Sequence, residues 1–333
     1  MPRHHSSQQE PASRTANPLA EMDLHPMTEP DLPRVLSAWN AILIHDRLAE
    51  QRFRQVMLGD PNYEPEGVLV AKGESGELLG FSACALRREV AGKDGGGSQD
   101  DFDRAYLKGF FVVDGDAGDA AAKDLIGAVE SYARAAGKQR LTVTEYGAAY
   151  VFPGLDVRYE RLRGLLMRNG YQDFHTIECV AADLNDPAIP HMLKEAWATM
   201  SSEIKLIAPW EPSVLPAMRR FVAEVEMPAW FPIGWETRYE QPREHCSVLT
   251  KGGEIIAWAQ FHPHKPTSGF GPILVLHRER GHNYGGLLLL ESMTRAAQLG
   301  CERMLAQWAN TGFYVRYGWN IVRRFAVLRK ALR

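Results

Sequence analysis

A glycine-rich turn between a predicted strand and a predicted helix carries the first residues that could do chemistry. An apolar run at residues 271–276 leads into residues 278–286, and the helical pattern that follows ends at Gly300. The backbone N–H groups and the dipole at the start of a helix attract anions, above all phosphate. The turn therefore predicts a phosphate site, although a turn that only packs a helix on a sheet would show the same pattern.

The residue types within the turn also suit an anion. Gly281, Gly285 and Gly286 would let the main chain approach a phosphate with no Cβ in the way. Three further side chains could add cationic or polar contacts: Arg278, Arg280 and His282. The spacing is neither that of the P-loop, which needs Gly-Lys-Ser/Thr, nor Gly-x-Gly-x-x-Gly.

The elements that must position this turn occur twice in the chain. The segment Gly-Glu-Leu-Leu-Gly-Phe at residues 76–81 recurs as Gly-Glu-Ile-Ile-Ala-Trp at 253–258, and a helical stretch ending at Gly137 recurs before Gly300. A polar, Gly-rich insert at residues 91–103 accounts for the different spacing and predicts a flexible surface loop. In each copy antiparallel strands are followed by strand, glycine turn, helix and strand, which predicts a mixed α+β sheet.

The turn carries a resemblance to a known family. Residues 280–285, Arg-Gly-His-Asn-Tyr-Gly, resemble motif A of the GNAT superfamily, Arg/Gln-x-x-Gly-x-Gly/Ala. Asn283 replaces the first glycine, and asparagine tolerates left-handed backbone angles better than most residues. Residues 313–319, Phe-Tyr-Val-Arg-Tyr-Gly-Trp, are similar to the family's Phe/Leu-Tyr-x-x-x-Gly-Phe signature. With the element order, the resemblance covers residues 23–332.

The resemblance implies two tandem GNAT folds, each a mixed, mostly antiparallel central sheet flanked by helices. The length of 333 residues also favours two domains. We predict a disordered leader at residues 1–20, a degenerate N-terminal GNAT domain at 21–185 and an acetyl-CoA-binding GNAT domain at 186–333.

The resemblance further implies an N-acetyltransferase that moves an acetyl group from acetyl-CoA to a primary amine of a small molecule. The strand before the turn would splay from its neighbour, and its free edge would pair with the pantetheine. Backbone N–H groups near Val275 and Leu276 would polarise the thioester carbonyl. The predicted coenzyme-binding residues are Leu274, Val275, Leu276, Arg280, Gly281, His282, Asn283, Tyr284, Gly285, Gly286 and Asn310.

The resemblance implies a catalytic role for Tyr314, which would protonate the leaving thiolate; a core tyrosine with a satisfied hydroxyl is the alternative. The acceptor ammonium must also lose a proton before it attacks. Because the strand at 271–276 contains no carboxylate, His262 and His264 are the nearest titratable candidates for the base. Each could equally be an ordinary rim histidine, and a water chain could replace both.

The first copy lacks several of these features. Its turn contains three aspartates (Asp114, Asp116 and Asp119), and Ala117 stands where Arg280 stands in the second copy. Negative charge there opposes a diphosphate, and Leu166 occupies the position of Tyr314. We therefore expect a degenerate first copy that packs on the second and shapes its substrate cleft.

Two further segments are candidates for substrate specificity. The aromatic cluster of Trp230, Phe231 and Trp235 either lines the acceptor site or belongs to the core. The insert at residues 151–156, Val-Phe-Pro-Gly-Leu-Asp, resembles a segment of tandem relatives and is expected to reach the domain interface.

The composition excludes several partner classes. A formal charge of -3 gives no basic surface for nucleic acid or an anionic membrane, and no apolar run approaches the ~20 residues that span a bilayer. The four cysteines are far apart, so we predict no metal and a cytoplasmic protein without disulfides. A monomer or a homodimer fits equally.

Two other functions remain open. One is a non-catalytic, regulatory acyl-CoA-binding protein, because the strand at 271–276 lacks a carboxylate and Asn283 departs from the motif. The other is a protein-lysine acetyltransferase.

Overall fold

The computed structural model describes residues 22–60, 62–87, 103–146, 151–225 and 244–332. The predicted leader, the aromatic cluster of Trp230, Phe231 and Trp235, and most of the insert at 91–103 lie outside these ranges.

The first half of the chain alternates short helices with the strands of a central sheet. Its strands are β1 (Asp23–Pro26), β2 (Val68–Lys72), β3 (Leu78–Leu86), β4 (Arg104–Val112), β5 (Arg140–Val143), β6 (Leu155–Asp156) and β7 (Gln172–Asp183). Its helices are α1 (Leu32–Ile42), α2 (Glu50–Phe53, continued by a π-helical turn Arg54–Leu58), α3 (Asp116–Ala135) and α4 (Glu160–Arg168). Strands β3 and β4 are buried along almost their whole length because helices cover both faces of the sheet.

The second half repeats this order. Its strands are β8 (Ile204–Ile207), β9 (Cys246–Lys251), β10 (Glu254–His264), β11 (Thr267–Val275), β12 (Arg303–Ala306) and β13 (Asn320–Ala331). Its helices are α5 (Ala188–Ala198), α6 (Leu215–Glu224), α7 (Tyr284–Gln298) and α8 (Thr311–Tyr314).

All of these strands belong to one continuous sheet. The order is β1-β2-β3-β4-β5-β13-β7-β12-β11-β10-β9-β8, and β6 pairs with β13 at the side. Thus β7, the last strand of the first half, lies between two strands of the second half, and β13 lies between two strands of the first. The two halves therefore exchange their last strands, which the sequence pattern did not predict.

The exchange creates an approximate two-fold axis in the middle of the sheet. Ile177 of β7 pairs with Phe325 of β13 and lies 148 positions before it, as Gly170 lies before Gly318. The parallel strand pairs are related in the same way. Arg104 pairs with Arg140 in the first half and Thr267 pairs with Arg303 in the second, and each residue of the second pair lies 163 positions after its counterpart in the first. Positions in one half can therefore be compared directly with their counterparts in the other.

The expected fold class is confirmed: each half is a mixed sheet flanked by helices. The hairpin β2–β3 and its counterpart β9–β10 are antiparallel, as the repeated segments predicted. The predicted C-cap of α7 is also present, because Gly300 has a φ of 84° and Cys301 N–H donates to Ala296 O. The helix α5 was not predicted from the sequence.

Candidate active site

The cleft of the second half opens where β11 separates from β12. Their parallel pairing ends at Gly269 opposite Leu305, so residues 270–275 pair on that side with no strand of the described ranges. Residues 271–275 are half-buried, whereas the corresponding part of β4 is fully buried. The predicted splay is therefore present in the second half, and its strand edge is open.

Only part of the predicted amide donor set is available at this edge. The N–H of Leu276 donates to Ile256 O at 3.0 Å, so the prediction that it polarises a thioester carbonyl is wrong. Adjacent amides of a strand point to opposite sides. The N–H of Val275 therefore points toward the open edge, and Leu274 contributes through its side chain or carbonyl.

The turn after β11 has the backbone shape of an anion-binding loop. Gly281 has a φ of 89°, and Asn283 lies in the left-handed region with a φ of 63° at the start of α7. The substitution of asparagine for the motif's glycine is thus accommodated as the sequence predicted. The alternating turn leaves successive N–H groups on one concave side, the arrangement that binds anions.

The two arginines of the turn differ in their partners. Arg278 forms ion pairs with Glu224 and, at 2.6 Å, with Glu254. Arg280 is exposed, its Nε lies 3.5 Å from Val275 O, and no carboxylate of the described residues pairs with it. Arg280 is therefore the cation of this turn that remains available to a phosphate.

The side chain of Tyr284, at the start of α7, packs beneath the turn. The rings of His282 and Tyr284 stack with centroids 5.5 Å apart, and Tyr284 is buried. The side chain of Tyr284 is therefore part of the packing, and only its backbone faces the turn.

The two glycines at the head of α7 have different roles. A Cβ on Gly285 would lie 3.5 Å from the Phe313 ring, an ordinary contact. A Cβ on Gly286 would come under 3.0 Å from both the Tyr317 hydroxyl and Asn283 Oδ1. The small size of Gly286 therefore has a further role that the sequence did not predict, which is to make room for Tyr317.

Tyr314 lies on α8, packed among aromatic rings beside the open edge. Its ring centroid is 6.2 Å from that of Phe270 on β11 and 5.0 Å from that of Trp319. Burial raises the pKa of Tyr314 above its usual range. Within the described ranges no group forms a hydrogen bond with its hydroxyl, which argues against a core tyrosine with a satisfied hydroxyl. Asn310, the residue before α8, is exposed.

The two candidate bases, His262 and His264, lie on β10 close to its turn into β11. The guanidinium of Arg295 on α7 lies 5.5 Å from the ring centroid of Phe261, so the next residue, His262, points to the opposite face of the sheet. His262 Nε2 lies 3.0 Å from Gly271 O. Because a carbonyl only accepts, Nε2 carries a proton and Nδ1 is the basic atom of the neutral ring. His264 lies at the hairpin end opposite Thr267, away from the open edge.

Sequence reasoning missed three contacts at the end of the cleft. Tyr317 donates a hydrogen bond to Asn283, and Thr311 at the start of α8 donates one of 2.5 Å to Glu178 of the exchanged strand β7. Trp308, with a φ of 59°, packs against the buried cluster at the sheet centre. Each contact joins residues far apart in the chain, so no local pattern indicates it.

The corresponding turn of the first half is occupied by an arginine. Arg161 of α4 donates to Val113 O at 2.9 Å and pairs with Asp119 at 2.5 Å and with Asp114 at 3.2 Å. A guanidinium thus neutralises the acidic turn at the place where the second half leaves Arg280 unpaired.

The strand cleft of the first half is filled as well. The segment 151–156 pairs through β6 with Phe325 and Ala326 of β13, as its predicted position at the domain interface required. Lys108 of β4 forms a buried ion pair with Asp60 there. The remaining cavity, lined in part by Leu166, measures about 30 Å³, room for one or two water molecules.

No helix of the described residues is long and apolar enough to cross a membrane.

Comparison with known sequences identifies one family. Residues 212–319 match the acetyltransferase (GNAT) family. No curated protein matches the sequence.

Three solved structures share the fold over almost the whole chain. The GCN5-related glucosamine N-acetyltransferase region of a fungal multi-domain GH3 β-N-acetylglucosaminidase is 16% identical, with a TM-score of 0.73 over 93% of this chain and 38% of that one. This chain therefore spans well under half of that protein. A GCN5-related N-acetyltransferase from Sphaerobacter thermophilus is 14% identical, with a TM-score of 0.66 over 94% of this chain and 96% of that one.

The third structure is a tandem GNAT protein from the clavulanic acid biosynthesis pathway. It is 14% identical, with a TM-score of 0.61 over 94% of this chain and 99% of that one. At such identities the likeness establishes the fold, and the sequence match is confined to residues 212–319 of the second half. Residues 212–319 therefore match the GNAT acetyltransferase family, and the chain as a whole has the fold of tandem GNAT proteins.

Proposed function

We propose that this chain transfers an acetyl group from acetyl-CoA to a primary amine of a small molecule, with the chemistry in the second half. One observation carries the proposal: the open edge of β11 runs directly into a left-handed turn at the head of α7, with Tyr314 beside the same edge. The family and the fold support an acyltransferase in general, and the amine is our proposal.

The described residues fit the coenzyme. Arg280 and the amides at residues 281–286 would hold the diphosphate, and the edge at Ile273 and Val275 would pair with the pantetheine. When bound, acetyl-CoA supplies an acetyl thioester, an activated acyl group with a good leaving thiolate. The remaining chemistry belongs to the side chains of the protein.

Two side chains can move the required protons. Burial keeps the Tyr314 hydroxyl neutral at physiological pH, so it can donate its proton to a departing sulfur. His262 is the proposed acceptor of the ammonium proton, and its Nε2 lies 3.0 Å from Gly271 O. His262 also lies on the sheet face opposite α7, and we propose that the acceptor enters from that face.

We propose that the first half, residues 21–185, is a domain that binds no coenzyme. Arg161 neutralises its acidic turn, and residues 151–156 fill its cleft. The chain should therefore bind one molecule of acetyl-CoA, and the first half contributes β7 beside the active cleft.

A regulatory acyl-CoA-binding protein is the second candidate. It is favoured by one observation, that residues 267–275 of β11 contain no carboxylate to act as a base. The two candidates share the coenzyme site and differ only in turnover.

Calorimetric titration with acetyl-CoA and a thiol-release assay over a panel of small amines test the proposal. Arg280→Ala should weaken coenzyme binding ten- to hundredfold, since a charged hydrogen bond contributes about 1.5–3 kcal/mol. Arg278→Ala is the matched control and should bind nearly as the wild type, because Arg278 is paired with Glu224 and Glu254.

The outcomes separate the alternatives. Unchanged affinity in Arg280→Ala would show that the diphosphate lies elsewhere. Tight binding without thiol release on any amine would favour the regulatory protein, and release only with lysine peptides would favour a protein acetyltransferase.

A further inference from the structure

Asn283, the left-handed residue of the turn before α7, is hydrogen-bonded to a tyrosine that follows α8. The hydroxyl of Tyr317 donates a hydrogen bond of 2.6 Å to Oδ1 of Asn283. Tyr317 follows α8 and is buried, and its ring centroid lies 5.5 Å from that of Phe313. The contact joins the turn before α7 to the segment that carries Tyr314.

The surroundings of this hydrogen bond are fitted to it. A Cβ at position 286 would come under 3.0 Å from both partners of the bond. Only glycine at position 286 therefore allows the Tyr317 hydroxyl to reach Asn283.

The bond changes what Asn283 can do at the helix start. An asparagine that precedes a helix normally accepts a hydrogen bond from the second or third helical amide through Oδ1. Asn283 precedes α7, yet its side chain makes no capping hydrogen bond. The bond to Tyr317 holds Oδ1 in a direction in which it caps no amide, so the amides of Gly285 and Gly286 are not consumed by the side chain and remain available to an anion.

We propose that Tyr317 is a positioning residue for coenzyme binding. Its hydroxyl holds Oδ1 of Asn283 away from the first amides of α7 and keeps the turn in its left-handed form. The inference rests on the proposed function, because it assigns those amides to the diphosphate.

A double-mutant cycle tests the inference with CoA as the probe. Tyr317→Phe should weaken CoA binding roughly three- to tenfold, the range of one ordinary hydrogen bond. It should raise KM for acetyl-CoA and leave kcat nearly unchanged, because Tyr314 is untouched. In the Asn283→Gly background there is no Oδ1 to divert, so Tyr317→Phe should change the affinity less than twofold.

Tyr132→Phe is the matched control for the loss of a tyrosine hydrogen bond. Tyr132 donates to Glu64 in the first half, far from the turn. This variant should bind CoA as the wild type does. Urea unfolding without CoA should show that Tyr317→Phe is no less stable than Tyr132→Phe.

Each outcome decides one point. Equal losses of affinity from Tyr317→Phe in both backgrounds, or a loss of kcat without a change in KM, would overturn the positioning role. A wild-type protein that binds no CoA would overturn the proposed function itself. The first result requires a protein that binds CoA, so the two failures are distinguishable.

Discussion

Replacing Tyr314 by phenylalanine separates the chemistry of the cleft from its packing. The substitution removes one hydroxyl and keeps the ring that packs against Phe270 and Trp319. The hydroxyl makes no hydrogen bond with any residue that the structure describes. Its loss therefore removes a proton donor and breaks no bond of the fold.

The expected loss of rate follows from the leaving group. General acid catalysis contributes about 10²–10⁴-fold, and more when the leaving group is a strong base. A thiol with a pKa near ~8.5 leaves with modest help. We therefore expect kcat of Tyr314→Phe to fall by about 10- to 100-fold, with little change in the affinity for acetyl-CoA.

The pH dependence sharpens the test. Because burial raises the pKa of Tyr314 above its usual value, the hydroxyl stays protonated through pH 9. Hence the ratio of wild-type to Tyr314→Phe kcat should be the same at pH 7 and at pH 9. A ratio that falls toward one at pH 9 would mean that the hydroxyl ionises and that the assigned environment is wrong.

The free energy of unfolding of Tyr314→Phe shows whether a loss of rate comes from chemistry or from misfolding. The Tyr314 hydroxyl has no hydrogen-bond partner among the described residues, so its removal should change the free energy of unfolding by less than about 1 kcal/mol. Tyr171 of the first half has a buried hydroxyl without a hydrogen-bond partner and offers the same substitution away from the cleft. Tyr171→Phe should gain stability and keep full activity. A Tyr314→Phe variant that unfolds more readily and keeps its kcat would refute the reasoning.

Two further predictions concern the Asp156 carboxylate of the first half and the glycines at the head of α7. Burial alone would raise the pKa of Asp156, but hydrogen bonds from Arg158 and Arg323 outweigh it and lower the pKa to about 2. The carboxylate therefore stabilises the fold fully above pH ~4 and loses this effect as the pH falls through about 2. Asp156→Asn should cost about 1–2 kcal/mol in urea unfolding at pH 7, about half as much at pH 3 and almost nothing near pH 1. Gly286→Ala should destabilise the protein by about 1–3 kcal/mol and weaken CoA binding, because its Cβ would clash with the Tyr317 hydroxyl. Gly285→Ala has room for its Cβ and should not lose stability, and equal stabilities of the two variants would contradict the packing described here.

Local features of the site could be predicted from the sequence because they depend on neighbouring residues. The strand before the turn, the helix after it and the C-cap at Gly300 follow from apolar spacing and glycine positions. The left-handed Asn283 follows from the same local chemistry. The strand is longer than predicted, beginning at Thr267, because its first residues pair with β12 rather than lying in the open edge.

Contacts between distant segments could not be predicted in this way. The strand β13 has an apolar centre that would suit either half, and only the register with β5 and β7 places it. Three contacts of the site likewise depend on which segments meet. They are the hydrogen bond from Leu276 N–H to Ile256 O, the ion pairs of Arg161 and the hydrogen bond from Tyr317 to Asn283.

The approximate two-fold axis explains why one cleft is open and the other closed. Residues 144–159 connect β5 to α4, whereas only residues 307–310 connect β12 to α8. The longer connection supplies β6, which pairs with β13 beside the first cleft and fills it. The shorter one leaves the second cleft without such a strand, so residues 271–275 keep their exposed edge. One connection of different length therefore accounts for one open cleft, the proposed coenzyme site, in a nearly symmetric sheet. Arg161 at the first turn and Leu166 are side chains that suit a closed cleft.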